Sequence, residues 1–233
     1  AAEMPIMEGY GLTETSPVIS VNDQRDGGFR IGTVGRIIDN VDVKIAEDGE
    51  ILVKGPNVMK GYYKEPEKTA EVMTGDYFHT GDIGEIDSDG FLKITDRKKE
   101  MFKTSGGKYV APALLENQFK QSRFIEQIMV IGEGEKMPAA LIQVNYEFIE
   151  EWAKRHHITF KSKEDIASNQ KLRERIQEEI DEANKKFGHW EQIKKFEITP
   201  NAWTIEDGHL TPTMKMKRKV IKEIYKDLIE KIY

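Results

Sequence analysis

Cysteine is absent from the 233 residues of the sequence. Disulfides and thiolate-coordinated metal sites are therefore both excluded. The sequence has no run of about 18 apolar residues, which argues against a membrane-spanning helix. It also has no basic and apolar leader that ends in small residues, so we expect no secretory signal. These absences predict a cytoplasmic protein.

The net charge of −6 conceals two parts of opposite sign. Up to Arg97 there are 10 lysines and arginines against 19 aspartates and glutamates, whereas from Lys98 onward there are 25 against 22. This division predicts two domains, residues 1–97 and 98–233. The basic part could meet an anionic ligand or the acidic part, although two ordinary solvated surfaces explain the charges equally well.

The first part is rich in predicted strands and tight turns. Residues 41–55 alternate apolar and polar side chains around the turn dipeptide Asp48-Gly49, which predicts a β-hairpin. Residues 84–97 repeat the pattern around Asp89-Gly90. Pro66 lies in the first turn of a short predicted helix. Together these elements predict an incomplete β-barrel or the edge of a sandwich.

The second part changes to helices around a predicted hairpin. Residues 127–144 read as two strands that turn at Gly134. Apolar residues at helical spacing predict four helices, at 112–122, 145–157, 162–187 and 219–233. Helices packed on a small sheet, together with the strand-rich first part, predict an α+β fold. We find no internal repeat and no low-complexity linker.

The stretch GYGLTETS, residues 9–16, is the first candidate for ligand binding. Glycines allow backbone N–H groups to approach an anion closely. Thr13 could offer a hydroxyl to a phosphate, Glu14 an oxygen to Mg²⁺, and Tyr10 a ring on which a base could stack. A strand that ends in a turn explains the same residues without a ligand.

Two further candidates lie around the predicted domain boundary. In FHTGDIG, the Asp82 carboxylate could bind the vicinal hydroxyls of a ribose, although an Asx-type turn is the alternative. Arg97 has a forked donor that suits ribose or phosphate oxygens. Ser105, Gly106 and Gly107 leave a backbone almost without side chains, past which a slender ligand could run. A solvated strand and a hairpin would explain these residues too.

Lys215 is the last candidate, on a stiff stretch just before the terminal predicted helix. A lysine on a constrained loop can stabilise a developing negative charge. A basic helix start or a nucleic-acid patch is the alternative, but the run lacks interleaved aromatic residues and the protein is acidic, which argues against nucleic acid. The adjacent histidines 156–157 lack metal-ligand spacing.

The order and content of these four stretches resemble the adenylate-forming acyl-CoA synthetase superfamily over nearly the whole chain. YGLTE is similar to its adenine and magnesium motif, TGD to its ribose motif, DRKK through GGK to its interdomain hinge and following loop, and TPTMK to its catalytic-lysine motif. EGYGLTETSPVIS and LTPTMKMKRKVI are most similar to long-chain fatty acid–CoA ligases. Met214 stands where many relatives have glycine.

The resemblance implies a role for each matching residue. Catalytic roles fall to Lys215, Glu14 and Thr13, with Glu14 also binding Mg²⁺. Lys99 is the implied hinge. Contacts to nucleotide or CoA fall to Tyr10, Gly11, Asp82, Arg97, Lys103, Gly106 and Gly107.

The resemblance also implies the reaction and its partners. Such a ligase activates a fatty acid with ATP to acyl-AMP and pyrophosphate, and then transfers the acyl group to CoA. The carboxylate attacks the α-phosphorus, so that AMP replaces oxide as the leaving group. Rotation of the small domain about Lys99 would then withdraw Lys215 and present the Gly106 loop to the thiol. Peripheral contact with the inner membrane face is a further implied feature.

One motif of the superfamily has no counterpart in the sequence. No stretch matches its phosphate-gripping loop, which lies upstream in relatives together with most of the acyl pocket. We therefore expect the chain to be the C-terminal part of a longer ligase, to need the remaining N-terminal domain as a partner, and to be inactive alone. Two alternatives stay open: an adenylation enzyme that loads a carrier protein, and a non-catalytic binding module.

Overall fold

The computed structural model describes residues 6–25 and 27–233. The chain divides into two compact units, Ala1–Glu100 and Met101–Tyr233. Each contains its own hydrophobic cluster. Both strands and helices are present, so the predicted α+β class is confirmed. The boundary predicted from charge, between Arg97 and Lys98, falls at the start of the turn that ends the first unit.

Almost all regular elements in the described part of the first unit are strands. A 3-10 turn, Thr13–Thr15, follows its first strand. The elements are β1 (Gly9–Gly11), β2 (Val18–Val21), β3 (Arg36–Ile37), β4 (Asp42–Ile45), β5 (Glu50–Lys54), α1 (Pro66–Glu71), β6 (Met73–Thr74), β7 (Tyr77–Ile86) and β8 (Leu92–Arg97).

These strands form two antiparallel sheets. One has the order β1-β2-β3, and the other has the order β4-β5-β7-β6, with β8 paired to the end of β7. Because β7 is 10 residues long, it pairs with β6 at its start, with β5 from Phe78 to Ile83 and with β8 from Asp82 to Ile86. The sheet therefore curls as a partial barrel does. Both predicted hairpins and the helix at Pro66 are confirmed.

The second unit consists of a short hairpin, a three-stranded sheet and six helices in the part that the structure describes. The elements are β9 (Phe102–Lys103), β10 (Tyr109–Val110), α2 (Pro112–Phe119), β11 (Ile125–Ile131), β12 (Ala139–Val144), α3 (Tyr146–Arg155), α4 (Lys163–Ser168), α5 (Gln170–Asn184), β13 (Lys195–Ile198), α6 (Arg218–Ile224) and α7 (Lys226–Ile232).

Helices cover both faces of this sheet. Its strand order is β11-β12-β13, with β11 and β12 antiparallel and β12 and β13 parallel. Side chains alternate between the faces along β11: Val130 joins the cluster that includes residues of α2, α3 and α5. Met129 and Ile131 join the cluster that includes residues of α6 and α7. The central strand β12 is consequently buried along its whole length.

Two predicted helices are each divided in the structure. The helix expected at 162–187 breaks at Asn169, whose side-chain oxygen accepts a hydrogen bond from the Leu172 N–H at 3.1 Å and so begins α5. The Ser162 side-chain oxygen accepts a hydrogen bond from the Asp165 N–H at 3.2 Å and so begins α4. The terminal helix is divided at Tyr225. None of the helices in residues 6–25 and 27–233 has both the length and the apolar character needed to cross a bilayer.

Candidate active site

The predicted ribose residue, Asp82, lies on β7 and is bonded by two other predicted site residues. It is only 4% exposed. Its Oδ2 accepts a hydrogen bond from the Tyr10 hydroxyl at 2.7 Å, and its Oδ1 lies 3.2 Å from the Arg97 Nε. Asp82 and Arg97 are direct partners in the β7–β8 ladder. The structure therefore gathers Tyr10, Asp82 and Arg97 into one cluster.

The Tyr10 hydroxyl is a permanent donor in this cluster. Burial raises its pKa, and the neighbouring Asp82 carboxylate raises the pKa further. The hydroxyl therefore stays protonated at any physiological pH. A carboxylate has about four acceptor positions, so Asp82 can still accept hydrogen bonds from a ligand. The Arg97 side chain is 62% exposed and keeps donors free to meet a ligand from the solvent side.

Glu14 lies in the 3-10 turn directly after β1. Its Oε1 accepts a hydrogen bond from the Tyr62 hydroxyl at 2.9 Å, and its backbone carbonyl accepts one from the Met59 N–H at 2.7 Å. Thr13 precedes it with an exposed side chain. Among the described residues no group of three or more potential ligands could hold a metal. A single carboxylate nevertheless fits Mg²⁺, which keeps waters and takes other ligands from substrate phosphates.

Gly11 allows this turn to form. A Cβ atom at Gly11 would lie 1.6 Å from the Pro17 carbonyl oxygen, which no side chain can tolerate. Thr15, which is fully buried, completes the turn: its Oγ1 accepts a hydrogen bond from the Leu12 N–H at 2.9 Å and lies 2.7 Å from the Pro17 oxygen. The position of Glu14 is thus fixed by the local backbone, and Gly11 acts there through its lack of a side chain.

Glu14, Asp82 and Arg97 line one cleft of about 500 Å³ in the first unit. Small-molecule sites commonly have volumes of about 300–1,000 Å³. The predicted hinge residue, Lys99, also lines this cleft, from the exposed turn at residues 98–100. The cleft thus unites residues from three of the stretches that the sequence singled out.

Glu50 is a residue of this cleft that sequence reasoning missed. It begins β5 but is only 4% exposed. Its Oε1 accepts a hydrogen bond from the Gly81 N–H at 2.9 Å, and its Oε2 lies 2.8 Å from the Lys98 Nζ and 2.9 Å from the His79 Nδ1. A charged residue that follows a turn is ordinarily solvent-exposed, so the hairpin pattern carries no signal for this inward orientation.

Glu50 is ionised, and its hydrogen bonds join two candidate segments. Burial opposes ionisation of Glu50, but hydrogen bonds from His79 and Lys98 hold its pKa below the usual value. Asp48 and Glu50 in turn raise the pKa of Lys98. Gly81 directly precedes the predicted ribose residue, and Lys98 directly precedes the predicted hinge. One buried carboxylate therefore holds the Gly81 backbone beside the first and the Lys98 side chain beside the second.

Lys215 lies in the second unit, on a tight turn that we name the lysine hairpin (residues 210–217). The Thr211 N–H donates to the Lys215 carbonyl at 2.8 Å, and the Thr211 Oγ1 accepts from the Lys215 N–H at 3.0 Å. The Lys215 side chain is exposed. Met214 has a φ of 62°, in the left-handed region that favours glycine. This backbone conformation is a physical reason for a glycine to stand at this position of the motif.

Gly106 and Gly107 lie on the glycine loop (residues 104–108), which connects β9 and β10. Gly107 has a φ of 75° and donates its N–H to the Thr104 carbonyl at 2.9 Å, so the turn itself favours glycine there. A Cβ atom at Gly106 would meet its nearest neighbour, the Thr104 Oγ1, at 3.9 Å. The fold therefore has no steric need for glycine at position 106. Lys103 precedes the loop and places its Nζ 4.5 Å from the centre of the exposed Tyr109 ring.

Two family models match the chain. The AMP-binding enzyme model matches residues 1–63, and the AMP-binding enzyme C-terminal domain model matches residues 100–233, which is more than half of the chain. The chain belongs to the AMP-binding enzyme family. The superfamily resemblance drawn from four short motifs is thereby confirmed, and the cleft described above belongs to an AMP-binding enzyme.

Named relatives of this AMP-binding enzyme include ligases from bacteria and mammals. Long-chain-fatty-acid–CoA ligase FadD15 of Mycobacterium bovis is 43% identical over 233 residues, which is 100% of this chain and 38% of the relative. Long-chain-fatty-acid–CoA ligase 6 of Homo sapiens is 35% identical, over 98% of this chain and 34% of the relative. The chain thus spans little more than a third of the length of these two relatives.

Solved structures share the fold of this AMP-binding enzyme. The A domain of carboxylic acid reductase from Segniliparus rugosus, in complex with AMP and a co-purified carboxylic acid, superposes with a TM-score of 0.73 at 22% identity, covering 96% of this chain and 34% of that one. O-succinylbenzoate coenzyme A synthetase from Bacillus subtilis, in complex with AMP, gives 0.68 at 22% identity, with coverages of 94% and 41%. The expected adenylate-forming fold is confirmed.

Proposed function

We propose that this chain forms part of an AMP-forming long-chain fatty acid–CoA ligase. Residues 1–97 would end its large AMP-binding domain, and residues 98–233 would form its small mobile domain. The observation that carries the proposal is the first-unit cleft, in which Glu14, Asp82 and Arg97 meet. The names of the ligase relatives support the long-chain assignment. The proposal includes a cytoplasmic enzyme in peripheral contact with the inner membrane face, into which a long-chain fatty acid partitions.

In the proposed first step, the cleft binds ATP. Asp82 would accept hydrogen bonds from the ribose hydroxyls with help from Arg97, and the Tyr10 ring, held by its hydroxyl, would stack on adenine. Thr13 would donate to a phosphate. Glu14 would hold Mg²⁺, which supplies charge neutralisation for the attack of one anion on another. These residues need little reorganisation, because Asp82 is already oriented by Tyr10 and Arg97.

In the same proposal, the second unit supplies one group to each half-reaction. Lys215 would neutralise the charge that develops between the acyl carboxylate and the α-phosphate. Rotation about Lys99 would then replace it with the glycine loop, where Gly106 and Gly107 border the route of the pantetheine arm. The absence of a steric need for glycine at position 106 supports that role. Lys103, at the foot of the loop, would face the anionic part of CoA.

A chimeric enzyme tests the proposal. The matching segment of the Mycobacterium bovis ligase would be replaced by this chain, and fatty-acid-dependent ATP–pyrophosphate exchange and acyl-CoA formation would be measured separately. We expect both half-reactions from the chimera and neither from the isolated chain. A folded chimera that performs neither reaction would contradict the proposed function.

The same assays separate the two alternatives. Acylation of a carrier protein without acyl-CoA formation would favour the carrier-loading branch. Tight ATP binding by the isolated chain, measured by calorimetry, would favour a non-catalytic nucleotide-binding module. Pyrophosphate exchange by the isolated chain would contradict our expectation that it carries only part of the active site.

A further inference from the structure

A buried ion pair joins α2 to the start of α6. Glu116, in the middle of α2, is 5% exposed, and its Oε1 lies 2.7 Å from the Arg218 Nη1. Arg218 is the first residue of α6, and its side chain is also largely buried. The sequence assigned no role to either residue, although Arg218 lies in the stretch LTPTMKMKRKVI. A buried charge pair is costly to desolvate, so its hydrogen bonds indicate what it stabilises.

The pair binds the open edge of the three-stranded sheet. β11 is an edge strand, and the Val130 N–H donates to the Glu116 Oε1 at 2.7 Å. The Val130 carbonyl accepts a hydrogen bond from the Arg218 Nη2 at 2.5 Å. Two side chains therefore satisfy both polar groups of one edge residue, as a neighbouring strand would. Because Val130 is fully buried in the core, the pair ties α2 and α6 to a rigid element.

Arg218 also fixes the lysine hairpin, which ends at the residue before it. The hairpin is closed by an antiparallel bridge between Leu210 and Met216 and by a hydrogen bond from the Lys217 N–H to the His209 carbonyl at 2.8 Å. Leu210 is buried in the core under α6 and α7. The second arm of the hairpin is thus attached to the sheet at Arg218, three residues after Lys215.

The glycine loop is attached to the same strand. The Ser105 N–H donates to the Glu135 carbonyl, and the Gly134 N–H donates to the Lys103 carbonyl, both at 2.8 Å. Glu135 and Gly134 lie in the turn that follows β11. The glycine-loop hairpin also leads directly into α2, which carries Glu116. Two independent connections therefore run from the glycine loop to β11.

We propose that Glu116 and Arg218 are positioning residues that hold the lysine hairpin and the glycine loop as one rigid body around Val130. Their catalytic meaning rests on the proposed function, in which the two loops serve successive half-reactions. With the loops fixed to each other, one rotation of the whole domain withdraws Lys215 and presents Gly106 together. Separate movements of the two loops are then unnecessary.

Amide hydrogen exchange on this chain tests the positioning role without any enzymatic assay. The double variant Glu116→Met/Arg218→Met replaces the pair with apolar volume, a change that often preserves stability. The single variant Arg218→Lys keeps the charge but loses the fork. Arg173→Lys is the matched control, because Arg173 forms a half-buried ion pair with Glu197 at 3.0 Å that touches neither loop.

We expect the amides of residues 211 and 213–217 to exchange about 10-fold faster in the double variant and in Arg218→Lys, in line with the loss of charge-assisted hydrogen bonds. Exchange in α5 should be unchanged, and Arg173→Lys should leave the hairpin unaffected. If the double variant unfolds, Arg218→Lys decides alone. Unchanged exchange of the hairpin in Arg218→Lys would overturn the proposal.

Kinetics of the chimeric enzyme add the functional readout. Arg218→Lys should lower kcat for pyrophosphate exchange about 10- to 100-fold, as small misplacements of a catalytic group do, with KM for ATP little changed. An equal loss in Arg173→Lys would reduce Arg218 to a general stabilising role and overturn the proposal. If the unmodified chimera is inactive, the proposed function fails, while the exchange experiment still decides the positioning role.

Discussion

The two units hold their candidate site residues in different ways. In the first unit Asp82 is buried and bonded by the side chains of Tyr10 and Arg97. In the second unit Lys215 and Gly106 are exposed, and their loops are closed by backbone hydrogen bonds. A carboxylate that must orient a ligand benefits from fixed neighbours, whereas a group that must enter and leave a site benefits from an exposed turn on a rigid base.

The buried carboxylates of the two units also differ in their electrostatics. Glu50 has two cationic or protonatable neighbours and a backbone donor, and its pKa is lowered despite burial. At Glu116, by contrast, burial raises the pKa in spite of Arg218. Two carboxylates with similar exposure thus respond in opposite directions, because the number of charged partners decides whether burial dominates.

Loss of Lys215 should have the largest effect. In the chimeric enzyme, Lys215→Ala should lower pyrophosphate exchange by about 10²–10³-fold, the range seen when one stabilising electrostatic group is removed. Thioester formation from supplied acyl-adenylate should be largely spared. Lys217→Ala is the control, since this exposed lysine lies in the same hairpin. Equal loss in both half-reactions would argue against alternation of the domain.

Removing the Tyr10 hydroxyl should destabilise the first unit. Tyr10→Phe leaves the buried Asp82 without one of its donors, which should cost about 1–3 kcal/mol of unfolding free energy. Hydrogen exchange of the β7 and β8 amides in increasing urea would measure this loss of unfolding free energy. Tyr63→Phe, at a residue that is 86% exposed, should change the value by less than about 0.5 kcal/mol. A similar small change for Tyr10→Phe would mean that the first-unit cluster is not preorganised.

The pH dependence of stability should run in opposite directions through Glu50 and Glu116. The ordinary pKa of both glutamates is 4.5. Because the pKa of Glu50 is lower in the folded state, its contribution to stability is present above pH 4.5 and is lost as the pH falls through that lower pKa. Because the pKa of Glu116 is higher in the folded state, its contribution to stability is present below pH 4.5 and is lost as the pH rises through that higher pKa.

The variants Glu50→Gln and Glu116→Gln isolate these two contributions. The difference in unfolding free energy between the wild type and each variant would be measured from about pH 3 to about pH 7, a range that brackets the ordinary pKa of glutamate. Plotted against pH, this difference should have opposite slopes for the two variants. All 3 tryptophans lie in the second unit, so their fluorescence in urea follows that unit alone. Exchange of the β5 and β7 amides follows the first. Slopes of the same sign would remove the electrostatic contrast between the units.

The smallest effect is expected at Met214. Its left-handed backbone costs about 1–2 kcal/mol for a residue with a Cβ atom, while glycine loses about 0.5–1 kcal/mol in unfolded-state entropy. Met214→Gly should therefore stabilise the second unit by up to about 1 kcal/mol, and Met214→Ala should give no gain. Urea unfolding followed by tryptophan fluorescence distinguishes them. A loss of stability in Met214→Gly would indicate that this exposed methionine makes a contact that stabilises the hairpin.

Local features of this protein were predictable because their causes lie within a few residues. The hairpins at Asp48-Gly49 and Asp89-Gly90 follow from turn residues between alternating strands. The break at Asn169 was missed, since the apolar period continues across it and a side-chain cap competes with that period. The inward orientation of Glu50 was missed because its partners come from β7 and from residue 98.

Patterns within the sequence were enough to predict the α+β class, the two charge blocks and the order of motifs that belongs to the AMP-binding enzymes. The folded chain was needed to show that the Tyr10 hydroxyl bonds Asp82 and that Glu116 and Arg218 bind the sheet edge at Val130. The reason is physical. Turn and helix preferences act over a few residues, whereas these contacts join residues 72 and 102 positions apart, and only the register of strands and the packing of helices bring them together.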